Sequence, residues 1–184
     1  MKITYNSPVV LTFTLIAVSV LLLNEVLTGL ISNYFVTYPH FQFSDPLDYF
    51  RLFSHVIGHA NWEHLVGNFA FILLIGPILE EKYGAKDLVM MMAVTALVTG
   101  ILNALFFHTG LLGASGIVFM MILLGSMVNM KKGTLPLTFL LIAALYIGKE
   151  MYAAFAVKDN ISQFGHIIGG ICGTVFGFAL NGKK

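Results

Sequence analysis

Six long apolar stretches constrain what this chain can fold into. They run near Pro8–Leu30, Glu63–Leu79, Leu88–Phe107, Ser115–Met130, Leu135–Tyr152 and Ser162–Leu180, with breaks such as Glu80-Glu81-Lys82-Tyr83-Gly84 and Lys131-Lys132-Gly133 between them. Roughly 20 helical residues cross the hydrocarbon of a bilayer, and backbone amides there must be satisfied within a helix or a closed barrel. The expectation is an all-α membrane protein, a six-transmembrane-helix bundle. Hydrophobic residues make up 58% of the 184 and charged residues 10%, with a mean hydropathy of +0.86, outside the range of soluble domains. Residues 1–184 read as a single domain. The near-neutral charge of +1 gives no reason to expect a nucleic-acid partner, and the lone Cys172 excludes an internal disulfide. Val9–Leu30 has no small-x-small cleavage site in a polar stretch after it, so it reads as a span and not as a signal peptide.

Lysine placement orients the bundle. With the N-terminus inside, Lys2, Lys82, Lys86, Lys131, Lys132, Lys183 and Lys184 fall on the cytoplasmic side, and only Arg51, Lys149 and Lys158 fall outside. The bias puts both termini in the cytoplasm. The second, fourth and sixth spans then begin at the outer face, so His64, Asn68, Ser115 and His166 share one depth. The connection Ser32–Trp62 mixes aromatic residues with Asp45, Asp48 and Arg51, as suits a structured loop in the lipid interface.

Polar side chains inside apolar spans are costly and are functional candidates by default. Ser115 heads the fourth span within Gly113-Ala114-Ser115-Gly116. That span is short, which places Ser115 below the outer surface and makes Thr109–Gly113 a re-entrant loop. Its helix start leaves backbone N–H groups free for a developing oxyanion. Taken alone, Gly113, Ser115 and Gly116 read first as small residues easing helix packing. His166 alters that balance, because Gly165, Gly169, Gly173 and Gly177 recur every fourth residue beside it. Such a groove accepts a closely approaching helix, and the small-residue start of the fourth span fits it. His166 is then the candidate base for Ser115. His64 and Asn68, four apart on one helical face, can donate to an oxyanion. His55 and His59 read as loop structure, His59 as a brace for the long loop.

A metal site is the sharpest rival. His59, Glu63 and His64 put three potential ligands in six residues, but the spacing is neither H-E-x-x-H nor H-x-x-E-H. Asp45, Asp48, Asp87 and Asp159 all fall in connections, which leaves no buried carboxylate pair.

Taken together these residues resemble the rhomboid family of intramembrane serine proteases. The resemblance rests on G-A-S-G at Gly113–Gly116, on His59, His64 and Asn68 as H-x4-H-x3-N, and on His166, Gly169 and Gly173 as H-x2-G-x3-G. Glu80 with Gly84 after the second span adds a further element. It implies a Ser115–His166 dyad with no metal or organic cofactor. His64, Asn68 and the Ser115 amide would form the oxyanion hole, with Gly113, Gly116 and His59 supporting. Glu80 would be structural, and the fifth span and the loop after it would act as a gate. It further implies single-pass transmembrane proteins as substrates, within a lipid bilayer, and the small size with no transit peptide points to a prokaryotic plasma membrane. Phe119 departs from the pattern where some members carry a tyrosine; a phenyl ring can stack on the histidine but cannot hydrogen-bond to it. A catalytically silent binder of membrane helices is the alternative reading.

Overall fold

The computed structural model describes residues 2–131, 133–156 and 161–181, and their secondary structure is helical apart from one isolated bridge between Thr37 and Leu111. The helices are α1 (Pro8–Val26), α2 (Pro46–Ser54), α3 (Trp62–Tyr83), α4 (Ala85–Phe106), α5 (Ser115–Ser126), α6 (Leu137–Ala156) and α7 (Ile161–Asn181). Local chemistry sets their ends. Pro8 and Pro46 stand in the first turns of α1 and α2, where proline lacks only an amide hydrogen that would have no partner. Asp45 caps α2 by accepting from the Leu47 amide, and Asn61 caps α3 by accepting from the His64 amide. Gly84, at φ +86°, closes α3 and opens α4 in a backbone conformation that side-chain-bearing residues resist.

The α1, α3 and α4 helices, together with Gln163–Leu180 of α7, are each long and apolar enough to cross a membrane. α5 and the Leu137–Tyr146 stretch of α6 are apolar but shorter. α5 is the shortest of the six helices matching the expected spans. It ends at Ser126, not Met130, because the amides of Met127 and Val128 bond three residues back and tighten the chain into turns. Its 12 residues measure about 18 Å. The long first connection also differs from expectation by containing α2, for which Asp45-Pro46 is the sequence signal.

α5 is the hub. Gly116 through Leu124 are all buried, the mark of a helix surrounded by others. It is packed against α7 along the glycine face. A Cβ on Gly169 would fall on the Gly116 carbonyl, one on Gly173 on the Met120 carbonyl, and one on Gly177 would lie 2.5 Å from Met127 Sδ. At the other end of the bundle the buried Glu80 carboxylate accepts from the amides of Val9 (3.0 Å) and Val10 (3.2 Å). This anion on the positive end of α1 ties the first helix to the end of the third.

Candidate active site

The loop that leads into α5 is pinned before Ser115 is reached. Thr37 and Leu111 exchange amide–carbonyl bonds at 3.0 Å in each direction, and the Gly113 amide donates to the His55 carbonyl at 2.9 Å. Asn103, buried on α4, donates to Thr37 Oγ1 and to the Thr109 carbonyl, both at 3.2 Å. Gly113 has φ +117°, and a Cβ there would sit 2.5 Å from His64 Cε1, 2.7 Å from its Nε2 and 3.7 Å from Asn68 Nδ2. Glycine is therefore required twice over, by backbone conformation and by the His64 ring lying against the main chain.

His59 organises the polar face of α3. Its Nδ1 lies 3.0 Å from the Ile57 carbonyl, which assigns the ring hydrogen to that nitrogen and makes Nε2 an acceptor. Nε2 then accepts from Asn68 Nδ2 at 3.1 Å and from the Ala114 amide at 3.4 Å. The expected brace is present, and it reaches past its own loop to α3 and to the start of α5. Burial pushes the His59 pKa down from 6.5 to about 4, helped by the neighbouring His64 and opposed by the bond to Ile57. Burial likewise holds His55 at about 4, against its bonds to the Arg51 and Leu52 backbone. Both rings stay neutral, which His59 requires, since a protonated Nε2 could accept from neither Asn68 nor Ala114.

Ser115 is the first residue of α5, and the preceding Ala114 supplies no side-chain cap to the first-turn amides. One turn on, Phe119 lies flat against the His166 ring, with centroids 4.3 Å apart and planes 5° from parallel. The glycine seam brings α7 this close: a Cβ on Gly116 would lie 3.4 Å from the Gly165 carbonyl, next to His166. Tyr146 of α6 meets Phe119 edge to face, with centroids 5.0 Å apart and planes at 86°. Beside the stack is a largely apolar cavity of about 310 Å³ between α5, α6 and α7, lined by Phe119, Tyr146, His166 and Gly170 among others.

The rhomboid domain family model matches residues 46–183. The chain belongs to the rhomboid family. It is similar to the rhomboid protease GlpG of Haemophilus influenzae, with 25% identity over 150 residues that cover 79% of this chain and 76% of that protein. The rhomboid match spans α2 to α7 and holds His59, His64, Asn68, Gly113, Ser115, Gly116 and His166, while α1 lies outside it. Family membership and the apolar helices make this a multi-pass membrane protein.

Gly113, His64, Asn68 and His59 form one contact set; Phe119 and His166 form another, beside the close approach of Gly116 to Gly165 and Gly169. Ser115 and Ala114 join the two through the chain. Sequence reasoning missed the bonds of His59 to Asn68 and Ala114, and it missed the target of Glu80. A buried carboxylate just after an apolar span carries the second signal, since an ion there needs donors. The H-x4-H-x3-N pattern groups His59 with Asn68 but names no bond between them, and nothing in the sequence points to Ala114 as its partner.

Proposed function

We propose that this rhomboid protein is an intramembrane serine endopeptidase that cleaves transmembrane segments through a Ser115–His166 dyad. The observation that carries the reading is the placement of His166 on Phe119, one turn from Ser115, across two helices locked backbone to backbone. Ser115 Oγ attacks the peptide carbonyl while His166 takes its proton, and the histidine then returns that proton to the leaving amine. Water hydrolyses the acyl-enzyme by the reverse assignment of roles. The oxyanion takes hydrogen bonds from the Ser115 amide, the His64 ring and the Asn68 amide. His59 holds one N–H of that amide and leaves the other for the oxyanion. No metal or organic cofactor enters this scheme.

In the membrane, α1, α3, α4, α5, α6 and α7 act as six spans with both termini cytoplasmic, and residues 1–184 work as one domain in a prokaryotic plasma membrane. The first loop lies in the outer interface, and the loop before α5 re-enters the bilayer to carry Ser115 below the surface. Substrates are single-pass membrane proteins admitted by movement of α6, whose inner side faces the cavity next to His166.

The test compares purified wild type with Ser115→Ala and His166→Ala in liposomes carrying a transmembrane substrate. Cleavage by wild type alone supports the dyad. Cleavage by Ser115→Ala refutes it. Absence of cleavage by the folded wild type over a panel of substrates favours the silent helix binder.

A further inference from the structure

The antiparallel bridge between Thr37 and Leu111 is isolated and joins the first loop to the loop before α5 by two bonds. Three residues from the bridge on each segment stand His40 and His108. Their rings face each other with centroids 6.2 Å apart and planes inclined by 38°. Both residues are exposed, and His40 is one of only two residues other than glycine with positive φ among the described residues, at +65°. Of the six histidines in the chain, these two lie outside the candidate active site and its bracing histidines.

We propose that His40 and His108 form a two-histidine site for a divalent transition cation of the Zn²⁺ class, clasping the first loop to the loop that delivers Ser115. Neutral imidazole is a favoured ligand of such ions. With Zn–N bonds of about 2.0–2.1 Å and tetrahedral angles, two imidazoles sharing one ion have ring centres about 5 Å apart. The observed 6.2 Å closes to that value with about 1 Å of ring movement. Exposed side chains make such a movement freely by χ rotation. Among the described residues no third His, Cys, Asp or Glu joins the pair, so water completes the coordination. Asn103 and the Thr37–Leu111 bonds already hold the two loop segments together, so the cation meets a largely preformed pair. Because the ion binds the folded pair and not the unfolded chain, its occupancy raises stability by mass action.

The experiment titrates ZnCl2 into the full chain in detergent, with any polyhistidine tag removed, following heat of binding and thermal midpoint. His40→Asn keeps a residue suited to positive φ, and His108→Gln keeps a polar exposed side chain. Wild type is expected to show one saturable site and a raised midpoint. Each single variant should lose at least tenfold in affinity, and the double variant should lose that site and its midpoint shift. Unchanged binding in either single variant or in the double variant overturns the proposal, because the ion then sits elsewhere, for example between His64 and His166. Absence of saturable binding by wild type overturns it equally. Neither readout depends on proteolysis, so failure here is separable from failure of the dyad.

Discussion

Replacing Gly169 by alanine tests whether the α5–α7 seam sets the active-site geometry. A Cβ at that position would stand 2.7 Å from the Gly116 carbonyl carbon and 2.9 Å from its Cα. Carbon atoms at optimal separation lie about 3.5–4.0 Å apart, so the helices must part by about 1 Å. The obstacle is main chain, and no rotamer change relieves it. Overpacking of this kind costs about 1–3 kcal/mol, from which a gain of up to about 1 kcal/mol in helix propensity must be subtracted. Under the proposed dyad, catalysis should suffer more than stability, because about 1 Å of misplacement between Ser115 and His166 would cost on the order of a hundredfold in rate. Gly170→Ala is the internal control: on the same helix, its Cβ would meet only Leu123 side-chain atoms at 3.6 and 3.7 Å. The assay measures cleavage of a transmembrane substrate in liposomes together with thermal unfolding of each variant. Gly169→Ala is expected to be folded, less stable and nearly inactive, and Gly170→Ala to match or exceed wild type in stability with activity retained. Wild-type activity in Gly169→Ala would refute the reasoning.

Glu80→Gln removes the charge that accepts from the Val9 and Val10 amides. It should cost about 1–3 kcal/mol, read as a lowered thermal midpoint, with cleavage per folded molecule retained because Glu80 lies at the opposite end of α3 from His64. An unchanged midpoint would remove the anchoring role. His55 and His59 are both held near 4 against an ordinary 6.5. The unfolded chain therefore binds more protons than the folded one between these values, and stability is complete above pH 6.5 and lost as pH falls toward 4. Near pH 5 the two histidines together contribute a slope of about 2–3 kcal/mol per pH unit, and His59→Asn should remove about half of it in pH-dependent thermal unfolding. An unaltered slope would show that His59 is not among the groups responsible.

Much of this protein was legible one residue type at a time. Apolar runs locate helices because in lipid the backbone has no other partner, and all six expected spans correspond to helices. Helix ends were less legible: α5 stops at Ser126 because of turn bonds made by Met127 and Val128 that composition does not announce. The Gly165–Gly177 spacing correctly marked a close-packing face, since a missing Cβ is visible in sequence. Its partner was inferred from matched size, and the Gly116 and Met120 carbonyls now occupy that face.

What only the tertiary structure decided are the contacts between residues whose chemistry has several possible uses. His59 reads as a brace or a metal ligand until its Nδ1 meets the Ile57 carbonyl and its Nε2 takes hydrogen bonds from Asn68 and Ala114. His40 and His108 carry no signal until the loops joined by the Thr37–Leu111 bridge bring their rings together. The hydrophobic pattern is a one-body property, settled by each side chain's own transfer energy, and it survives in sequence. Hydrogen-bond partnership and ring stacking are two-body properties that exist only once the chain has brought distant residues within a few ångströms.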